Sequence, residues 1–168
     1  MRRVEGFSLV ELVLVIIILG ILAAFVGPVL FNAMRSYQSV QSGVATQAKL
    51  RYAVERMSRE LREIRRQTTD AALLDITGMT ATSMAFFKTD GTQVVLSQTG
   101  SQLSLAYSTI TGTLTDQVSS FGLTYLQQDA VTAAASARSI AFIEVSLTLA
   151  EGTNTFPARV RVEAKNAQ

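Results

Sequence analysis

Gly6-Phe7-Ser8-Leu9-Val10-Glu11 leads into Leu12-Val13-Leu14-Val15-Ile16-Ile17-Ile18-Leu19, and the apolar character continues through Ile21-Leu22-Ala23-Ala24-Phe25-Val26. This stretch decides the fold. No residue from Leu12 to Met34 is charged. A helix needs about 20 apolar residues to cross the hydrocarbon core of a bilayer, and the run is long enough. Arg2 and Arg3 precede it, so the excess of positive charge on the cytoplasmic side predicts a cytoplasmic N-terminus and an extracytoplasmic remainder. A secretory signal peptide has a shorter apolar core and a small-residue cleavage site. Ala23-Ala24 fits such a site poorly, and the length of the run and the carboxylate of Glu11 argue against it. A carboxylate within a membrane segment costs roughly 2.5–3.5 kcal/mol at the helix centre and less near an end. Either Glu11 is tolerated at the interface, or it has a task. Intramembrane ionisable groups have tasks by default.

Outside this segment the composition excludes whole classes of chemistry. The 168 residues contain neither cysteine nor histidine. Zinc sites built on those ligands, thiol nucleophiles, disulfides and a Ser-His-Asp triad are therefore absent. The formal net charge of +2 is unevenly spread. Residues 1–34 are neutral, residues 35–66 carry eight basic and three acidic side chains, and residues 67–168 carry five basic and eight acidic ones. A basic helix beside an acidic domain predicts complementary packing between subunits. DNA binding is the alternative use of the basic stretch. Its three interleaved glutamates and only two aromatics, Tyr37 and Tyr52, argue against that use.

The motif Gly6-Phe7-Ser8-Leu9-Val10-Glu11, with a short basic leader before it and about 20 apolar residues after it, resembles the signature of type IV pilins and of the related pseudopilins of type II secretion. The resemblance implies cleavage after Gly6 by a membrane-embedded prepilin peptidase, N-methylation of Phe7 and an assembly role for Glu11. It also implies a bend at Gly27-Pro28. Phe7 and Glu11 are four apart and share a helix face. Cleavage would leave an ammonium on Phe7, and a carboxylate in lipid is far less costly when so paired. In the family Glu11 pairs with the amine of a neighbouring subunit, and the spacing equally permits pairing with its own. Gly20 with Ala24, and Ala23 with Gly27, form small-xxx-small pairs of the kind that let membrane helices approach closely. Pro28 lacks a backbone donor and clashes with the carbonyl of Ala24, so it ends the helix, kinks it or marks a stretch that unwinds on assembly. Because the helical pattern resumes, a kink or local melt is expected.

From Tyr37 to Ile64 apolar residues keep helical spacing: Tyr37, Val40 and Val44, then Leu50, Val54, Met57, Leu61 and Ile64. They are expected to form one stripe packed on the chain's own domain, with a coiled coil to another subunit as the alternative. The opposite face is expected to carry Arg51, Glu55, Arg56, Arg59, Glu60, Arg62, Glu63, Arg65 and Arg66, with i, i+4 pairs Arg51/Glu55, Glu55/Arg59, Arg56/Glu60 and Arg59/Glu63. Helix is expected as far as about Gln67. Beyond it, short strands are predicted at Ser83–Phe87, Gln93–Leu96, Gln102–Tyr107, around Phe121-Leu123-Tyr125, at Ala141–Leu149 and at Pro157–Glu163, with turns at Asp90-Gly91 and Gly100-Ser101. Asp129 to Ala137 reads as a mobile loop. Asp70, Asp75, Asp90, Asp116 and Asp129 are scattered and read as solvated turn residues rather than a calcium loop.

The expected fold is therefore α+β: a long N-terminal α-helix, its first half transmembrane, packed on a C-terminal antiparallel β-sheet headgroup. The expected parts are a leader at 1–6, a transmembrane and assembly helix at 7–34, its amphipathic continuation at 35–67 and the headgroup at 68–168. Val118-Ser119-Ser120-Phe121 and Tyr52 to Arg62 are most similar to the group of minor pseudopilin J, minor pilin W and the mannose-sensitive haemagglutinin minor pilins. The resemblance implies a structural, non-enzymatic subunit without cofactor or metal. Its implied partners are other pilin or pseudopilin subunits, prepilin peptidase, an inner-membrane assembly platform and, before assembly, the lipid bilayer of the bacterial inner membrane. DNA remains the weaker partner. The rival readings are a tethered extracytoplasmic binding module that never polymerises and a DNA-receptor pilin.

Overall fold

The computed structural model describes residues 8–71, 73–108 and 110–164. One helix, α1, runs from Leu9 to Arg62 over 54 residues. Eight strands follow: β1 (Ile76–Met79), β2 (Ser83–Phe87), β3 (Gln93–Thr99), β4 (Gln102–Tyr107), β5 (Ile110–Thr115), β6 (Val118–Leu126), β7 (Phe142–Glu151) and β8 (Asn154–Glu163). They build two antiparallel sheets, β1-β2-β3-β4-β5 and β6-β7-β8. The fold is α+β and pilin-like, with the end of the long helix packed on antiparallel sheets.

The chain divides into two compact units, residues 1–42 and 43–168. In the second unit, a single core takes Leu50, Ala53, Met57 and Leu61 from α1, Met84, Phe86, Val94, Leu96, Leu103 and Leu105 from the first sheet, and Phe121, Leu123, Ile143, Val145, Leu147 and Leu149 from the second. Each large side chain so buried contributes about 1.5–3 kcal/mol. The strands alternate as a half-buried sheet requires, with the pattern plainest in β2 and β3. The sheets are also stitched directly: the Leu123 N–H donates to the Ala81 carbonyl at 2.7 Å and the Val118 N–H to the Ser101 carbonyl at 2.9 Å.

Two expectations about α1 need correction. The apolar residues from Tyr37 to Ile64 are not one stripe. Leu50, Met57, Leu61 and Ile64 are buried, whereas Tyr37, Val40 and Val44 are each more than 60% exposed. The six-residue step from Val44 to Leu50 rotates the direction by about 120° on a helix of 3.6 residues per turn, so the two runs face different ways. The buried arc is instead completed by Thr46, Ala53 and Glu60, which places Glu60 inside rather than on the charged face. The helix also stops at Arg62, short of Gln67, because the chain turns there into sheet-like bridges, Ile64 with Lys88 and Arg66 with Leu74.

The predicted strands are present, with β3, β7 and β8 longer than expected, and β1 and β5 are additional. Positive φ at Gly91 and Gly100 places both glycines in turns that favour a residue without Cβ. The segment after Asp129 is held by its own hydrogen bonds. The Asp129 carboxylate accepts from the N–H groups of Val131 at 3.0 Å and Thr132 at 2.9 Å, and Ala134 is buried.

Tyr125 gives the headgroup a pH signature. It is 8% exposed and donates to the Thr80 carbonyl at 2.9 Å, and burial pushes its pKa from 10.0 up to about 12. The folded state therefore holds this proton more tightly than the unfolded chain does. That stability is full below pH 10 and is lost as pH rises through 10 to 12, by an amount on the order of 2 kcal/mol. Urea unfolding at pH 8 and pH 11.5 should show the loss, and Tyr125→Phe should diminish it. An equal loss in both proteins would refute the assignment.

Candidate functional site

Among the described residues the segment from Ser8 to Met34 is exposed along its length, with only Gly27 half-buried. Helix formation begins at a capped end. The Ser8 hydroxyl accepts a hydrogen bond from the Glu11 N–H at 3.3 Å, and the Ser8 carbonyl accepts from the N–H groups of Glu11 at 3.1 Å and Leu12 at 3.2 Å. Ser8 thus caps the helix, and Glu11 is the third helical residue. Ser-x-x-Glu is the spacing of a capping box, a signal the pilin resemblance had obscured. It gives Glu11 a second reason to be acidic, since a carboxylate in the first turn is favoured by the helix dipole.

Along this helix the large apolar residues from Leu9 to Met34 are exposed on every side, Val13 being the least exposed of them at 46%. A surface helix of a globular domain is apolar on one stripe only. One apolar all round is meant for burial in a core or a membrane. The helix is long and apolar enough to cross a membrane. Gly20, Ala23 and Ala24 are exposed, and a Cβ added at Gly20 or Gly27 would meet nothing within 4 Å. The small residues are therefore not explained by packing within the described chain. The helix is continuous across Pro28. The carbonyl of Ala24 nonetheless lacks its usual donor, because proline has none. Gly6 and Phe7, the expected cleavage and methylation positions, lie outside the described residues, as does the rest of the expected leader.

Residues 1–27 match the prokaryotic N-terminal methylation motif. The match to that methylation motif covers Gly6, Phe7 and Glu11 together with the apolar run, and it supports a type IV pilin-like protein processed at its N-terminus. It ends one residue before Pro28 and does not reach the headgroup. No curated protein matches the chain.

The headgroup offers polar clusters of another kind. The deepest surrounds Glu60, whose side chain is 3% exposed. Its Oε1 lies 2.9 Å from Arg56 and accepts from the Tyr107 hydroxyl at 3.0 Å. Arg56 in turn donates to that hydroxyl at 2.7 Å, and its guanidinium stands 5.8 Å from the ring centre. Lys88 Nζ lies 3.2 Å from Glu60 Oε2 and 2.6 Å from Glu63. The first is an ion pair by distance only, since Oε2 accepts no well-directed hydrogen bond. Burial pulls the Lys88 ammonium down, but the nearby carboxylates of Glu63 and Glu60 outweigh that and hold it above the usual lysine value. The cluster ties α1 to β4 and to the end of β2, so its role is structural.

Of the expected i, i+4 pairs, only Arg56–Glu60 forms among the described residues. Part of the charge complementarity is used within the chain. Lys49 pairs with Asp116 at 2.7 Å, Arg65 with Asp75 at 2.8 Å, and Arg138 with Asp70. Asp70, Asp75 and Asp116 are therefore ion-pair partners, whereas Asp90 and Asp129 are turn residues as expected. The Thr92 N–H bonded to Asp90 holds that carboxyl below the usual range. No cluster of three or more carboxylates suited to a metal exists among the described residues.

Proposed function

We propose that the chain is a structural subunit of a type IV pilus-like filament, a minor pilin or pseudopilin rather than the main fibre subunit. Residues 1–6 are its leader, 7–34 its membrane and assembly helix, 35–67 the continuation and 68–168 the headgroup. Prepilin peptidase cuts after Gly6 and Phe7 is methylated. The helix waits in the inner membrane with its N-terminus cytoplasmic and its headgroup outside, then leaves the bilayer to pack among other subunits on the assembly platform. One observation carries this reading: the methylation motif opens a helix that is apolar on every side and exposed among the described residues. Both successive environments, lipid and a bundle of like helices, bury such a surface. Gly20, Ala23 and Ala24 suit close packing in the second, and Gly27-Pro28 supply the point at which the helix yields. The preference for a minor subunit rests on the likeness of Tyr52–Arg62 and Val118–Phe121 to that group and on the missing cysteines.

Intact mass and N-terminal sequencing of the membrane-extracted protein, with and without prepilin peptidase, test the first step. The expected product begins at Phe7 and carries one methyl group, only when the peptidase is present. An intact Met1 in both samples would overturn the reading and leave a tethered binding module.

Glu11 separates processing from assembly. Glu11→Ala is expected to be cleaved at close to the normal rate, because the bond cut lies four residues before Glu11 in the sequence. Its methylation or its incorporation into filaments should fail, because the Phe7 ammonium would then lack its counter-charge in lipid. Immunoblots of sheared filaments against whole membranes measure this. Normal incorporation would remove the assembly role from Glu11.

A further inference from the structure

The two sheets have four edges, and three of them are blocked. Strand β8 carries Pro157, Arg159, Arg161 and Glu163 along its length. Strand β6 is covered through its bonds to Ala81 and Ser101. Strand β1 is four residues long and breaks register between Ile76 and Gly78. Proline, charge, shortness and irregularity are the devices by which proteins stop sheet edges from recruiting further strands. Strand β5 has no proline and no charge, and Ile110, Thr111, Gly112 and Thr113 are all exposed, Ile110 by 70%. It pairs regularly with β4 from Ile110 to Thr113 and is irregular only near Leu114. Among the described residues no backbone hydrogen bond reaches its free side.

The sequence of this edge reads nearly the same in both directions: Ile110-Thr111-Gly112-Thr113-Leu114. Laid antiparallel against itself about Gly112, it sets Thr111 opposite Thr113 of a second copy and Gly112 opposite Gly112, and brings Ile110 beside Leu114 at the bulge. Aliphatic and Thr–Thr pairs are favourable cross-strand neighbours, and an uncharged strand meets its copy without repulsion. The β8 edge would set its own arginines near one another. We infer that β5 is a homotypic docking edge, which takes β5 of a second copy of this chain and joins two five-stranded sheets into one.

The geometry of such a pair restricts where it forms. The two-fold axis of a continuous antiparallel sheet stands perpendicular to the sheet, so it reverses every direction lying in the sheet plane. Residues 43–62 of α1 lie on the face of the sheets, and in the two copies they run oppositely. Given the membrane-anchored reading above, the contact joins headgroups from opposed surfaces or from filaments of opposite direction, not neighbours in one filament. The area of so short a strand pair falls below the ~1,200 Å² of stable interfaces. A single contact is therefore weak, and many in parallel are strong.

The chain has no cysteine, so cross-linking is clean. In full-length protein in detergent, Gly112→Cys under mild oxidation should give a disulfide dimer, since a Cβ there meets nothing closer than the Leu105 carbonyl at 4.0 Å. A control Thr124→Cys, exposed on β6, should dimerise much more slowly. Thr111→Cys mixed with Thr113→Cys should cross-link as a heterodimer faster than either alone. Adding Thr111→Lys and Thr113→Lys to Gly112→Cys places ammonium groups opposite one another on both sides of the centre and should slow dimerisation at least about fivefold. Dimerisation of Gly112→Cys no faster than the Thr124→Cys control, or unchanged by the lysines, overturns the assignment. Because detergent-solubilised chain needs no processing or filament, failure here leaves the pilin reading intact, and an uncleaved Met1 leaves this one intact.

Discussion

Glu60→Ala lowers the stability of the headgroup by about 3 kcal/mol, toward the lower end of the range for removing one partner of a buried ion pair. The carboxylate is 2% exposed and is met by Arg56, Tyr107 and Lys88. Its removal leaves the Tyr107 hydroxyl without its acceptor and brings two cations together without the charge between them. The loss is moderated because Lys88 keeps Glu63 at 2.6 Å and Arg56 keeps the Tyr107 ring. Glu60→Gln retains the shape and an acceptor and should lose about half as much, in keeping with the stronger bonds that a charged group makes. Urea unfolding of the full chain in detergent, followed by tyrosine fluorescence, gives both values. A loss under ~1 kcal/mol for the alanine variant would mean that the ion pairs do no more than offset their own desolvation.

Phe86→Ala costs about 3–5 kcal/mol, the usual range for emptying a phenylalanine site in a packed core. Phe86 is fully buried on β2 of the first sheet, opposite Val94 on β3 and Ile76 on β1. A core assembled from a helix and two sheets cannot close over the void without moving one of these layers. The comparison is Ile110→Ala, which removes a large apolar side chain that is 70% exposed and should change stability by less than ~0.5 kcal/mol. If the two variants unfold at the same urea concentration, the core does not lie where these residues place it.

Much of this was legible in the chain itself, for identifiable reasons. The apolar run after Glu11 announces its helix because nothing charged interrupts it. The period-two alternation of Ile143, Val145, Leu147 and Leu149 announces β7 because one sheet face is buried and the other, Glu144 apart, is not. What stayed hidden was hidden by size or by chemistry. Ala53 sits at the centre of the helix–sheet contact with no exposure, yet a small residue leaves no mark in a hydrophobic pattern. Glu60 reads as surface because its burial depends on Tyr107 and Lys88, which are distant in sequence. Strands β1 and β5 are rich in threonine and glycine, residues that also make loops. At the N-terminus, Ser8 is readable by its spacing to Glu11, but the stronger motif around it absorbed the same residues.

The order of the strands bears on how the headgroup comes into being. Within each sheet every strand pairs with the strand just before it, from β1 to β5 and again from β6 to β8, with no crossover. On the proposed topology the N-terminus stays in the cytoplasm, and the chain that follows the anchor crosses the membrane in sequence order, presenting its strands in that same order. Each can pair with its predecessor on arrival, closing only a short loop, and does not have to wait exposed for a distant partner. The anchor arrives first and holds the chain in place. The helix end that carries Met57 and Leu61 follows, then one hairpin after another. On that topology translocation and folding would proceed as one continuous process, with β8, the most highly charged strand, added last at the outer edge.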